Sequence, residues 1–189
     1  PVGGIIDQEK WNCKQIEDAG GQVYFMYTDD PTDVHDRYNY QHAKFMVIDE
    51  AVLLTGSENL NYSSMPADDK NDGTSGNRGV WMITDSPSAV AHALDVFQHD
   101  LDPTNHKDLF RWTAGHSNYG APSIGFTPDY SSGGTSYTAI FTSPLSISGT
   151  FAFEIVQSPE NALRDSDSLL GMVSRANSGD TLLVEQLYE

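Results

Sequence analysis

His42 and Lys44 set an imidazole and an ammonium two positions apart, at the head of the apolar run Phe45-Met46-Val47-Ile48. Strand side chains alternate between faces, so residues two apart share one. Both groups are costly to bury without partners, so they either face solvent or carry out chemistry. Ser57 and Asn59, again two apart, follow in the same stretch. The four groups together offer a nucleophile or base, a fixed cation, a hydroxyl and a carboxamide. That set suits a phosphate. Lysine supplies charge, serine and asparagine supply hydrogen bonds, and histidine can attack or shuttle a proton.

The element that would gather them is a β-hairpin. Asp49-Glu50 lies between apolar runs, and a two-residue turn there pairs Ile48 with Ala51. Counting outward, Lys44 falls opposite Thr55 and His42 opposite Ser57, and directly opposed residues project to the same face. Asn59 joins them if the strand persists past Gly56, while Ala43, Phe45 and Val47 pack on the other face. Asp49 falls in the turn or on the opposite face, which gives it a structural role in fixing the hairpin or an ion pair. The alternative is a hairpin whose histidine and lysine only meet solvent.

The pattern H-x-K-x-x-x-x-D at His42, Lys44 and Asp49, followed by Gly56-Ser57-x-Asn59, resembles the HKD signature of the phospholipase D superfamily. The resemblance implies an α/β fold, a mixed β-sheet flanked by helices, here incomplete or permuted. It also implies a phosphodiesterase that works through a phosphohistidine, of the phospholipase D or phosphatidyltransferase type, with no metal or cofactor. A nuclease of the same superfamily and a catalytically silent phosphate-binding scaffold are the alternatives. Carried over, His42 is nucleophile or general acid, Lys44 and Asn59 bind phosphate, and Ser57 assists. The implied partners are a phosphodiester substrate, with phospholipid favoured over nucleic acid, and a second HKD unit from the same full-length chain or from a homodimer. Many single-unit members also place a glutamate downstream to orient the histidine. Here that stretch is Gly76-Asn77-Arg78-Gly79, leaving Glu58, a carboxylate of the partner unit or a backbone carbonyl for the task. The literal tripeptide His106-Lys107-Asp108 cannot replace the motif, because adjacent strand residues point in different directions.

Around the hairpin the chain alternates strand and helix. Residues 8–19 read as a helix with Trp11, Ile16 and Ala19 inward and Gly20-Gly21 as its stop. Residues 22–28 and 79–84 read as strands, and Ser86 caps a helix to about Leu101. Residues 65–77 form a polar loop. Residues 103–147, rich in Pro, Gly, Ser and Thr, read as an unpacked connector with one short strand at 138–142. Extended segments at 150–156 and 181–187 flank a helix at 166–175. The resemblance divides the chain into residues 1–105, the C-terminal part of an HKD unit with the active-site hairpin, a connector at 106–149, and residues 150–189, the N-terminal part of a following unit. This is the reverse of the family's order, so a fragment spanning two units is expected.

The 189 residues carry 27 acidic against 10 basic side chains, for a net charge of −17. Such a field opposes nucleic-acid binding, which rests on cationic contacts to phosphate, and it fits a solvated acidic surface of the kind suited to high salt. The Asp-rich stretch 29–36 lacks the spacing of a calcium loop. The single Cys13 excludes an internal disulfide and a cysteine zinc cluster, and its helical context suggests a packed side chain. His92 and His99 stand two turns apart, too far to chelate alone. His35, Asp33, Tyr38, Tyr40 and Tyr62 are candidates to line the site. No apolar run approaches the roughly 20 residues that span a bilayer, and no signal-peptide pattern precedes residue 7, so location stays open.

Overall fold

The apolar runs around the H-x-K motif become a three-stranded antiparallel sheet in the computed structural model, which describes residues 5–61, 64, 77–104, 106–128 and 140–184. The order of elements is α1 (Asp7–Asp18), β1 (Val23–Met26), a 3-10 turn at Asp30–Thr32, β2 (Phe45–Ile48), β3 (Val52–Gly56), β4 (Trp81–Thr84), α2 (Pro87–Leu101), β5 (Leu109–Trp112) and α3 (Ser168–Ser174). β2, β3 and β4 are neighbours in that order, and β1 pairs with β5 in a second antiparallel sheet. The α/β class is thus present, with two small sheets and three helices among the described residues. The chain divides into two compact units, Pro1–Thr142 and Ser143–Glu189.

α1 begins where the Glu9 carboxylate accepts the Ile6 amide proton at 3.2 Å, satisfying one amide of the open helix end. It ends at the expected glycines. Gly20, at φ +88°, donates to the Glu17 carbonyl, and Gly21 donates to that of Ile16. This is the Schellman arrangement that a left-handed glycine permits. The inward face differs from the expected one. Cys13 is the buried residue of α1, while Ile16 is 47% exposed. Cys13 packs with Ile5 and Trp112, and Val23, Phe25, Phe110 and Tyr119 surround them.

Trp112 belongs to the stretch read as an unpacked connector, so that reading is corrected. Leu109–Trp112 aligns with β1 in the register Val23↔Trp112 to Met26↔Leu109. Trp112 is only 2% exposed, and its indole donates to the Tyr119 carbonyl. The expected strand at 138–142 is not formed at 140–142, and 138–139 lie outside the described residues.

The hairpin turn forms at Asp49-Glu50 as expected. Both residues are left-handed, at φ +51° and +54°, and the Ala51 amide closes onto the Ile48 carbonyl at 3.0 Å. The ladder beyond the turn is displaced by one residue. Ile48 pairs with Val52 and Phe45 with Thr55, so Ala51 is left over and the expected pairing of Lys44 with Thr55 is overturned. α2 lies against β2 and β3, burying its Ala89, Val90 and Ala93, and Leu53 is buried in β3. Val90 and Leu53 each contribute on the order of 1.5–3 kcal/mol when taken fully out of water, and each alanine methyl about 0.8 kcal/mol.

In the second unit, Asn161 folds the backbone by accepting the Gln157 amide at 2.7 Å, and the Ser168 hydroxyl donates to the Asn161 carbonyl at 2.8 Å. The helix expected at 166–175 appears as α3. Residues 150–156 and 181–184 form no strand, and 185–187 are not among the described residues.

Candidate active site

His42 lies in the irregular lead-in to β2 and is exposed. Lys44 follows it closely, with Nζ donating to the His42 carbonyl at 2.8 Å. The Lys44 carbonyl in turn accepts the Gly56 amide at 3.1 Å and the Thr55 hydroxyl at 3.2 Å. Lys44 is therefore fixed opposite Gly56, at the end of the β2–β3 ladder. Asp49 stands in the turn at the far end of β2, exposed.

Ser57 and Asn59 follow β3 and are exposed. With the register displaced by one, strand alternation no longer carries Ser57 onto the face of His42 and Lys44. Ser57 instead extends the pairing toward β4. Its amide donates to the Val80 carbonyl, and its hydroxyl oxygen accepts the Val80 amide, both at 3.1 Å. That bond leaves the hydroxyl proton to donate elsewhere. Asn59 lies three residues past the last strand position, so its placement rests on the loop and not on the ladder.

Glycine is required at 56 by close approach. Gly56 pairs with Trp81, and a Cβ there would come within 2.5 Å of the indole ring and 2.6 Å of the Val80 carbonyl. A Cβ on Gly79 would collide with the side chain of Glu58, which is half-buried beside it. Glu58 thus packs against Gly79. Asn77 donates to Ser64, and the Arg78 guanidinium lies 5.9 Å from the Phe141 ring centroid.

A charge cluster that the sequence reading passed over lies beside this site. Arg37 grips Asp108 in a fork, with Nε and Nη2 each 3.0 Å from one carboxylate oxygen, and its backbone amide adds a third bond at 3.1 Å. Its Nη1 reaches the Asp100 carbonyl at 3.0 Å and the Asp100 carboxylate at 3.4 Å. Burial alone would raise the Asp108 carboxyl, but the hydrogen bonds and charge of Arg37 outweigh it and hold the group below the usual aspartate value. The tripeptide His106-Lys107-Asp108 therefore contains a buried structural anion. Periodicity gave no sign of it, because the partners stand 71 residues apart.

A cleft of about 470 Å³ opens next to the lead-in, lined among others by Tyr24, Phe25, Arg37, Gln41, Phe45 and Phe97. Of the tyrosines named above, Tyr38 directs its hydroxyl toward Asp100 at 3.5 Å, Tyr40 is 83% exposed, and Tyr62 lies outside the described residues. His35 pairs with Asp33 at 3.0 Å on an exposed loop. His99 contacts His106 edge to face, with centroids 4.8 Å apart. Among the described residues no group of three or more His, Cys, Asp or Glu side chains stands close enough together to hold a metal ion, and no helix is long and apolar enough to cross a membrane.

The family described as cardiolipin synthase, PLD-like domain, matches residues 3–101, which span α1 to α2 and contain the whole hairpin. The chain belongs to this phospholipase D-like family. Comparison with curated proteins and with solved structures returned no match. The PLD-like region ends with α2, so Asp108 and β5 lie beyond it, although both are joined to it by hydrogen bonds. PLD-like domains generally act on phosphodiesters as paired units, and this chain carries one H-x-K-x-x-x-x-D motif.

Proposed function

We propose that the chain is a phosphodiesterase of the phospholipase D or phosphatidyltransferase type and reacts through a phosphohistidine on His42. The observation that supports this reading best is the PLD-like match over residues 3–101, which takes in His42, Lys44, Asp49, Ser57 and Asn59 in the expected order. In the reaction, an imidazole nitrogen of His42 bonds to phosphorus while the bond to the alcohol oxygen breaks. A second histidine, from another HKD unit or from a second copy of the chain, gives that oxygen its proton. Water or an acceptor alcohol then attacks phosphorus, returns a proton to the second histidine and frees His42. Lys44 and Asn59 bind the phosphate oxygens, Ser57 adds its hydroxyl proton, and Asp49 holds the turn. The net charge of −17 favours a lipid phosphodiester over nucleic acid.

Turnover of bis(p-nitrophenyl) phosphate and of phosphatidylcholine vesicles by the chain, alone and joined to a second HKD unit, tests the reading beside His42→Ala. Loss of activity and of acid-labile phosphate labelling in the variant is expected. Equal turnover in both removes His42 from the mechanism, and no turnover in either favours a phosphate-binding scaffold.

A further inference from the structure

The Gln41 side chain ties the Asp100 carboxylate to the main chain just after His42. Its Nε2 donates to the Asp100 carboxylate at 3.2 Å, and its Oε1 accepts the Ala43 amide at 3.3 Å. His42 lies between Gln41 and Ala43. Asp100 sits in the last turn of α2 and is itself held by Arg37, through both its carbonyl and its carboxylate. Arg37 is anchored by the fork to Asp108, the residue before β5. A continuous set of hydrogen bonds thus runs from β5 and α2 to the backbone that carries His42. On the other side, Lys44 is pinned by Gly56 and Thr55.

His42 precedes the first ladder residue, Phe45, so no strand pairing fixes its own backbone. In-line attack on phosphorus tolerates little misplacement, and an error of about 1 Å in the reacting geometry can cost about 100-fold in rate. We propose that Gln41, seated by the Arg37–Asp100–Asp108 clamp, is a positioning residue for His42 and a determinant of the chemical step. The proposal rests on the reading of His42 as the reacting group. The depressed carboxyl of Asp108 is consistent with it, since the anchor stays ionised despite burial. Gln41 also lines the neighbouring cleft.

Gln41→Ala and Asp100→Ala remove the link and leave the Arg37–Asp108 fork in place, while Asp100→Asn keeps an acceptor. The test follows kcat and KM on bis(p-nitrophenyl) phosphate, the melting temperature, and the His42 Cε1–H resonance, assigned by its absence from His42→Gln. The two alanine variants are expected to lose about 10- to 100-fold in kcat with KM and melting temperature unchanged. The His42 resonance should move while those of the other histidines stay, and Asp100→Asn should recover part of both effects. An unmoved His42 resonance in Gln41→Ala overturns the proposal, as does an unchanged kcat or a loss that follows the melting temperature. Wild-type turnover in His42→Gln would instead refute the catalytic reading. In that case, or in a chain without turnover, the resonance still decides whether Gln41 positions His42.

Discussion

Gly56 and Trp81 are direct ladder partners, and the indole occupies the space that a side chain at 56 would need. The glycine that opens the G-S-x-N element therefore has a packing reason in this chain that is independent of phosphate binding. Gly56→Ala is expected to destabilise the protein by about 1–3 kcal/mol through overpacking. Chemical denaturation measures it, and Trp81→Ala in the same chain should remove the ring's share of the cost, while the share set by the Val80 carbonyl remains. Equal losses in both backgrounds would show that the ring is not the obstacle.

The Arg37–Asp108 fork should dominate acid sensitivity. The Asp108 carboxyl is depressed in the folded chain, so its stabilisation is complete above the ordinary aspartate range and is lost as pH falls through the folded value. Asp108→Ala takes the fork from a largely buried Arg37, which keeps the Asp100 carbonyl and carboxylate, and should cost about 3 kcal/mol at neutral pH. Asp108→Asn should flatten the acid limb of the stability curve. An acid limb as steep as that of the unmodified chain would assign the effect to other carboxylates.

Glu50 occupies a left-handed conformation at φ +54°, which a side chain with a Cβ adopts at a cost. Glycine meets that backbone freely, and an aspartate followed by a glycine is a favoured pair for a turn of this type. Glu50→Gly should raise stability by about 1 kcal/mol. A lower denaturation midpoint would show that the side chain has a role beyond the turn.

Cys13 is 5% exposed, and burial, followed by the nearby Glu9 charge, pushes its thiol up. Reaction with a disulfide reagent at neutral pH should be slow in the native chain and rapid after denaturation. Immediate modification of the native chain would contradict the packing of α1 against Trp112.

Local chemistry made much of this fold legible. The glycine stop of α1, the Asp49-Glu50 turn, the strands at β1 and β4 and the helix after Ser86 follow from residues close in sequence. The hairpin register did not, because the leftover Ala51 depends on how the ladder resumes after a turn with two left-handed residues. β5 was hidden because four strand residues, Leu-Phe-Arg-Trp, stand among prolines, glycines and serines. The inward face of α1 was misjudged for a related reason. Cys13 is buried because Trp112 arrives from about a hundred residues away. At 150–156 and 181–184 apolar residues suggested strands, but strand propensity is realised only against a partner, and none pairs with them among the described residues. The motif residues stand close together in the sequence, whereas Gln41 and Arg37 reach Asp100 over distances that no periodicity reveals.

β2 and β4 close the two sides of their sheet, and β2 also presents Met46 and Ile48, 41% and 45% exposed. Main-chain donors and acceptors along such borders invite pairing with another molecule. The net charge of −17 keeps copies apart in dilute buffer. At 1 M salt its reach shrinks to about 3 Å, so concentrated, salt-rich samples of this chain should self-associate into aggregates that dilution into low-salt buffer disperses.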